Sequence, residues 1–189
     1  MQGIDKLLAP LDGVPVLRRT VEALASAPEI TELIVVTRAD RLEAVQALCE
    51  GLSKPVSVVP GGKTRAESVL CGLSAAAMPY AAIHDGARGL VTPEQIGEVI
   101  LAAYAHGAAI AATRATDTVK YASGGFVAET LDRNDIWLAQ TPQVFRDEIY
   151  RAAAYTAEKD GFAATDDASL AEHSGIGVYL VDCGAENFK

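Results

Sequence analysis

Apolar positions along the chain recur at two spacings, and the two spacings alternate. Short continuous apolar runs, typical of buried strands, occur at residues 33–37, 56–59, 80–84, 107–113 and 178–182. Apolar residues at helical spacing predict helices over residues 14–27, 40–51, 64–77, 92–106, 145–158 and 165–173. This alternation predicts an α/β fold, with a mostly parallel sheet and helices on both of its faces.

One stretch breaks the alternation. The runs DTVKY and FVAETL flank Ser123-Gly124-Gly125, and such glycines favour the tight turn of a β-hairpin. We therefore expect one domain over residues 1–189, with a small hairpin arm at about residues 115–136.

Composition narrows the functional classes. The net charge of −9 argues against a general nucleic-acid binder. The three cysteines are odd in number and form no CxxC pair, which argues against a disulfide framework or a zinc site and favours a reducing compartment. No apolar run is long enough to span a bilayer and the N-terminus lacks signal-peptide features, so we expect a cytoplasmic protein without membrane contact.

Polar residues follow three of the predicted strands. Gly61-Gly62 follows the second strand, His84-Asp85 ends the third, and Asp117-Thr118 follows the fourth. Open α/β sheets bind ligands beyond the carboxyl ends of their strands. The sequence therefore predicts a ligand site at this edge of the sheet.

The first two tracts also have ordinary structural explanations. Gly61-Gly62 suits a close approach to an anion at a helix N-terminus, or simply a turn before a capped helix. Asp85 suits a magnesium ligand or a hydroxyl acceptor, and Arg88 a phosphate clamp. Alternatively, Asp85 and Arg88 form an ion pair across a loop.

Two later tracts leave similar alternatives. In TDDAS, Thr165 could cap a helix, with the two following acids complementing the helix dipole. The tract around Thr141 could be only a strand-to-helix turn. No GxSxG motif or signature around a cysteine supports nucleophilic catalysis.

Taken in order, the tracts are far more specific than any one of them. They are GGKTRAESVLCGL, HDGARGLV, DTVK, DRNDIW, QTPQVF, TDDASL and ENFK. Together they resemble the 2-C-methyl-D-erythritol 4-phosphate cytidylyltransferases of the non-mevalonate isoprenoid pathway, over essentially the whole chain. The resemblance implies a Rossmann-like nucleotidyltransferase core and Mg²⁺-assisted transfer of the cytidylyl group of CTP to a sugar-alcohol phosphate.

The resemblance also implies roles for individual residues. The catalytic set is Lys6, Asp85 and Arg133, with Asp85 also near the metal. The nucleotide-binding set is Gly62, Lys63, Arg65 and Ser68. The substrate-binding set is Arg88, Thr118, Arg133, Thr141, Thr165 and Lys189. The hairpin arm is implied to form a homodimer and to deliver Arg133 to the site of the partner chain.

The chain departs from the family pattern in a few places. Gly86 and Gly89 stand where the family tract HDAARP has alanine and proline. A glycine-rich AAGxGxR loop before Lys6 and a final helix after Lys189 are expected for the family but are missing from this sequence. The remaining alternatives are a ribitol 5-phosphate cytidylyltransferase, a non-catalytic nucleotide-binding module and a dinucleotide-dependent oxidoreductase, the last disfavoured because no GxGxxG is present.

Overall fold

The computed structural model describes residues 7–189, where helices and strands alternate as predicted. The helices are α1 (Val16–Ser26), α2 (Leu42–Leu48), α3 (Arg65–Ala75), α4 (Pro93–His106), α5 (Asp147–Asp160) and α6 (Asp167–His173). The strands are β1 (Pro10–Leu11), β2 (Val14–Pro15), β3 (Leu33–Thr37), β4 (Val56–Pro60), β5 (Tyr80–Ile83), β6 (Ala108–Arg114), β7 (Lys120–Ser123), β8 (Phe126–Thr130), β9 (Trp137–Arg146) and β10 (Tyr179–Asp182). All the predicted helices and strands are confirmed, with ends shifted by a few residues.

The main sheet has four strands in the order β10-β6-β9-β5. Strand β10 runs parallel to β6, and β9 runs antiparallel to both β6 and β5. Strands β3 and β4 form a separate parallel pair. The α/β fold class is confirmed, and the antiparallel β9 is an addition to the parallel strands that the sequence predicts.

Strand β9 was not predicted, because its polar tract looks like a turn. Proline within an apolar run normally argues against a central strand. Here Gln143 is 1% exposed, and its side chain donates to the carbonyl of Gln140 (3.2 Å) and to Asp166 Oδ2 (2.8 Å). Buried polar side chains with partners let this tract continue as a strand through the middle of the sheet.

Both faces of the main sheet are covered by helices. Along β6, Ala108 and Ile110 pack against α3, α5 and α6, while Ala109 and Ala111 pack on the side of α4. Strand side chains alternate between faces, so each residue of this continuous apolar run has a helix to pack against. The prediction of helices on both faces is confirmed.

A cavity of about 410 Å³ separates β5 from the β3–β4 pair. Its walls include Ile34 and Val36 of β3, Ala82 and Ile83 of β5, and Leu17 of α1. Among residues 7–189, the two groups of strands face each other across this apolar space without sharing a hydrogen-bonded ladder.

Helix starts follow local capping chemistry. Helix α4 begins with the predicted capping box, in which Thr92 accepts from the Gln95 backbone and Gln95 accepts from the Thr92 backbone. At α6 the sequence prediction is wrong by one position. The cap is Asp166, whose side chain accepts from Ser169 N at 2.9 Å, and Thr165 lies just outside the helix.

The hairpin arm is confirmed as β7 and β8, joined at Gly124 and Gly125 with φ of 58° and 83°. All residues of both arm strands are exposed. Within residues 7–189, none of the helices combines the length and the apolar character required to cross a membrane.

Candidate active site

A cavity of about 270 Å³ opens beyond the carboxyl end of β5. It gathers residues from the start of α3, from the β5–α4 loop, from β9, from the two positions before α6 and from residue 189. They are Arg65, Asp85, Arg88, Ala139, Gln140, Thr141, Gln143, Thr165, Asp166 and Lys189. The structure thus brings together six residues that the sequence assigned to the site.

Asp85 lies at the centre of the cations in this cavity. Its Oδ1 accepts from Arg65 Nη1 at 3.0 Å, and its Oδ2 lies 3.2 Å from Lys189 Nζ and 3.4 Å from Arg88 Nε. Burial alone would raise the pKa of Asp85, but hydrogen bonds from Arg65 and Lys189 hold this pKa below its usual value. The carboxylate is therefore ionised, and it fixes three positive side chains around itself.

Arg88 is held from behind by the last residues of the chain. Its Nη1 donates to the carbonyl of Asn187 at 2.5 Å, and its side chain is only 11% exposed. The Asn187 side chain is fully buried and donates to the carbonyl of Thr141 at 2.7 Å. Asn187 therefore ties the β5–α4 loop to β9.

His84 and Thr141 form a second support under Asp85. The hydroxyl of Thr141 accepts from the backbone N–H of Asp85 at 3.0 Å and lies 3.0 Å from His84 Nδ1. His84 Nε2 lies 3.3 Å from the carbonyl of Arg88, which can only accept, so Nε2 carries the proton. Burial lowers the pKa of His84 to about 4, so the ring is neutral and Nδ1 accepts from the Thr141 hydroxyl.

The glycine loop between β4 and α3 is closed by its own side chains. Gly62 N donates to Ser68 Oγ at 3.1 Å, and Lys63 N donates to Glu67 Oε2 at 2.7 Å. A Cβ on Gly62 would lie 2.4 Å from the Cβ of Glu67, so only glycine fits at this position. This loop leads directly into Arg65, the first residue of α3.

Tight packing on α1 accounts for the two glycines that depart from the family pattern. A Cβ on Gly86 would lie 3.2 Å from Leu17 Cδ1, and one on Gly89 would lie 3.2 Å from the carbonyl oxygen of Val16. The carbonyl of Gly86 also accepts from Thr20 Oγ1 at 2.9 Å. Here glycine lets the β5–α4 loop approach the helix closely.

The other predicted site residues lie apart from this cavity. Thr118 and Arg133 belong to the arm and do not line it; Arg133 donates to the carbonyl of Thr116 at 2.8 Å. Gly62 and Lys63 lie in the glycine loop, Ser68 lies in the first turn of α3, and Lys6 lies outside the described residues.

Sequence reasoning missed four residues of the cavity lining, Ala139, Gln140, Gln143 and Asp166, and two further residues that support the site from behind. Asp167 is 1% exposed and binds Arg65 through its Oδ2, at 3.0 Å from Nε and 2.5 Å from Nη2. The sequence interpretation treated Asp167 only as a complement to the helix dipole. Asn187 gave no signal beyond its place in the terminal ENFK tract, because it acts through its own backbone and through another residue's carbonyl.

The donor chemistry of the cavity suits a magnesium ion only when the ion arrives with phosphate. Within residues 7–189, no three His, Cys, Asp or Glu side chains cluster as a metal site. Asp85 is a single ionised carboxylate that is already paired with cations. A carboxylate that is already paired in this way is a weak ligand for a bare dication, whereas Mg²⁺ is commonly bound by one carboxylate together with substrate phosphates.

Comparison with known proteins identifies the family. The family model described as 2-C-methyl-D-erythritol 4-phosphate cytidylyltransferase matches residues 1–189. The chain is 43% identical to the enzyme of that name from Synechococcus sp. (strain CC9902), over 98% of this chain and 83% of the relative. It is 37% identical to the one from Geobacillus kaustophilus, over 99% of this chain and 83% of the relative.

Solved structures give the same answer for the fold. A 4-diphosphocytidyl-2C-methyl-D-erythritol synthase from Anaerococcus prevotii superposes with a TM-score of 0.91 at 29% identity, covering 97% of this chain and 86% of that chain. A 2-C-methyl-D-erythritol 4-phosphate cytidylyltransferase from Thermus thermophilus superposes with a TM-score of 0.82 at 31% identity and the same coverage. The Rossmann-like nucleotidyltransferase fold is thereby confirmed, and the chain belongs to the 2-C-methyl-D-erythritol 4-phosphate cytidylyltransferase family.

Proposed function

We propose that this chain transfers the cytidylyl group of CTP to 2-C-methyl-D-erythritol 4-phosphate, forming CDP-methylerythritol and pyrophosphate. Family membership favours this reaction over ribitol 5-phosphate transfer and over a non-catalytic nucleotide-binding role. The observation that carries the proposal is the convergence of Arg65, Arg88 and Lys189 on one cavity, in a protein whose net charge is −9. Such a concentration of cations is a site for phosphate groups.

In this reaction an oxygen of the sugar phosphate attacks the α-phosphorus of CTP, and the bond from that phosphorus to the pyrophosphate oxygen breaks. The second pKa of a phosphate monoester is about 6, so the nucleophile is already ionised at neutral pH. A general base is therefore unnecessary. This agrees with a neutral His84, whose two ring nitrogens are both used in hydrogen bonds within the protein.

Arg88 and Lys189 would hold the phosphate of the sugar alcohol, with Asp85 keeping them apart and aligned. Thr141 donates its hydroxyl hydrogen to His84, so it would offer a lone pair to the ligand. We therefore assign Thr141 to a substrate hydroxyl, rather than to a phosphate oxygen. Thr165 lies on the same wall and would contact the substrate as well.

The nucleotide would bind at the glycine loop, where Gly62 lets a ligand approach the backbone. Lys63 and Ser68 would contact the cytidine, while Arg65 would align the loop with the cavity. Lys6 would stabilise the charge that develops on the triphosphate. Turnover that is unchanged in Lys6→Ala would remove that role.

Magnesium would enter with CTP and be held by Asp85 together with phosphate oxygens. When bound, it would neutralise charge on the phosphates. Isothermal titration of Mg²⁺ should therefore give weak binding to the protein alone and much tighter binding in the presence of CTP. Equal affinity with and without nucleotide would contradict this assignment.

The active form would be a homodimer built through the arm. Tyr121, Phe126 and Val127 are 59%, 80% and 62% exposed, which is unusual for large apolar side chains and typical of an interaction surface. Thr118 and Arg133, which lie apart from the cavity of their own chain, would then reach the cavity of the partner. Phe126→Asp should yield monomers in analytical ultracentrifugation, and a Phe126→Asp protein that stays dimeric would contradict the arm interface.

We also place the protein in a reducing compartment, the cytoplasm. Cys49, Cys71 and Cys183 are all free thiols.

A direct test of the reaction is pyrophosphate release by a full-length protein with CTP, Mg²⁺ and methylerythritol phosphate. Ribitol 5-phosphate should give much slower release in a parallel assay. If pyrophosphate is released with ribitol 5-phosphate but not with methylerythritol phosphate, the substrate is reassigned. If CTP binds but neither sugar phosphate gives pyrophosphate release, the non-catalytic role is supported.

A further inference from the structure

Asp167 is a buried carboxylate that lies behind the cavity and not on its wall. It is 1% exposed and is absent from the residues that line the cavity. A buried charge is costly unless it is paired and hydrogen-bonded. Asp167 is fully paired: Arg65 binds its Oδ2, and the Tyr150 hydroxyl donates to its Oδ1 at 2.9 Å.

Tyr150 is a firm anchor for this carboxylate. It is 1% exposed and lies within the apolar cluster between the sheet and helices α5 and α6. Burial, assisted by the charge of Asp167, raises the pKa of the phenol, so its proton stays in place and is donated. The position of Asp167 is thereby fixed by the core of the protein.

Arg65 connects that anchor to the reacting region. Its Nε and Nη2 bind Asp167, while its Nη1 binds Asp85 at 3.0 Å. The guanidinium is a rigid planar fork, so fixing one side fixes the direction of the other. Arg65 also opens α3 immediately after the glycine loop, and thus it touches both halves of the proposed site.

We propose that Asp167 is a positioning residue, which holds Arg65 between the glycine loop and Asp85 so that nucleotide and sugar phosphate are aligned. The catalytic consequence of this inference rests on the proposed function. The contact between Asp167 and Arg65 does not depend on that function. Without the negative charge of Asp167, Arg65 is drawn toward a bound phosphate. Binding then persists while alignment is lost.

The kinetic signature follows from that difference. Asp167→Asn should lower kcat by about tenfold or more, since small misplacements of aligned groups have effects of this size or larger. The KM for the sugar phosphate should remain within about twofold, because a released guanidinium still attracts the phosphate. A merely structural defect would reduce the amount of active enzyme without depending on Arg65.

A double-mutant cycle tests that dependence. Asp167→Asn, Arg65→Gln and the double variant are compared in the pyrophosphate-release assay, with Asp160→Asn as the control. Asp160 is an exposed acid that pairs with His173 on the surface, so its variant should behave as the wild type. The kcat effect of Asp167→Asn should nearly vanish in the Arg65→Gln background. An equal loss in both backgrounds, or an unchanged kcat in the single variant, would overturn the proposal.

Two further measurements keep the test decisive. In ¹H–¹⁵N spectra, the Nε–H signal of Arg65 should be protected from exchange in the wild type and should disappear in Asp167→Asn. A protected signal that persists in Asp167→Asn would also overturn the proposal. If Asp167→Asn does not fold, Arg65→Lys serves instead, because lysine cannot span both carboxylates; a full kcat in that variant would refute the role. A wild type that shows the protected signal but no turnover would sink the proposed function alone.

Discussion

The cavity wall, formed by Arg65, Asp85, Arg88 and Lys189, and the hairpin arm both carry an arginine assigned to the sugar-phosphate substrate, yet the two regions are built differently. In the wall, Arg88 is 11% exposed and is held by Asp85 and by the carbonyl of Asn187. In the arm, Arg133 follows two strands whose residues are all exposed, and it is held through the carbonyl of Thr116. The side chains of the wall are held by partners within a single chain, whereas the arm presents its side chains to the outside.

The side chains of the two regions are therefore positioned in two different ways. The wall is ordered before any ligand arrives, because its cations are neutralised and oriented by buried partners. The arm has an exposed apolar surface and lacks packing of its own, so the position of Arg133 is set by whatever covers that surface. Substitutions in the two regions should therefore behave differently when chains are mixed.

The largest effect is expected at the centre of the wall. Asp85→Asn leaves three cations without their shared carboxylate and removes the proposed metal contact, so kcat/KM should fall by about 10³-fold. Pyrophosphate release measures this, with Asp160→Asn as a matched surface control. A variant that retains a tenth or more of wild-type kcat/KM would show that Asp85 does not organise the site.

Loss of Arg133 should raise the KM for the sugar phosphate by about 10- to 100-fold, the range for a charged hydrogen bond. Chains carrying Arg133→Ala and chains carrying Asp85→Asn should then rescue each other when co-expressed. A heterodimer has one intact site, so at sugar-phosphate concentrations well below the wild-type KM a statistical mixture should recover about a quarter of wild-type activity.

The matched control for this rescue is the mixture of Arg88→Ala with Asp85→Asn. Both defects lie in the wall, so no heterodimer contains an intact site and activity should not return. Rescue in the control, or its absence with Arg133→Ala, would remove the contrast between wall and arm.

A smaller effect is expected from the two hydrogen bonds of His84. In His84→Asn the new carbonyl can still accept from the Thr141 hydroxyl, whereas in His84→Gln only the contact to the Arg88 carbonyl can be kept. Because Thr141 also holds the backbone of Asp85, kcat/KM should fall by about tenfold in the Gln variant and by about twofold in the Asn variant. The reverse order would mean that the Arg88 contact is the important one.

The smallest effect concerns the thiols. Cys71 is exposed on α3, while Cys49 and Cys183 are buried. Burial raises the pKa of Cys49, and burial with nearby Glu98 raises that of Cys183 to about 11, so both stay protonated at pH 8. A disulfide reagent should therefore modify one thiol quickly, with turnover within about twofold of the untreated enzyme. Three fast thiols would contradict the burial of Cys49 and Cys183.

Sequence patterns predicted the layers well, because they depend on local spacing. The buried run 107–113 and the hairpin glycines became β6 and the arm turn with little change. Strand β9 was missed because its order depends on long-range partners: Gln143 is satisfied by Asp166, and Ala168 N donates to Gln143 Oε1 at 2.9 Å. Such pairings leave no periodicity in the sequence.

The residues of the candidate site were likewise predictable only where they lie in a local sequence pattern. Asp85 and Arg88 could be found because they follow a strand and match a motif. The geometry of these two residues could not be predicted from the sequence. It depends on Asp167, which is 82 positions from Asp85, and on Asn187, which is 99 positions from Arg88. The roles assigned to the site residues all stay predictions. Lys6 also lies outside the described residues, and Arg133 lies apart from the cavity of its own chain.

The contact between Arg88 and the carbonyl of Asn187 closes a loop of the chain with a sequence separation of 99 residues. During synthesis, the β5–α4 loop leaves the ribosome long before residues 187–189 become available to meet it. The core layers can form from local contacts, but the cavity wall must wait for this distant closure, which is entropically slower. A nascent or refolding chain should therefore acquire its secondary structure first and its capacity to bind phosphate last.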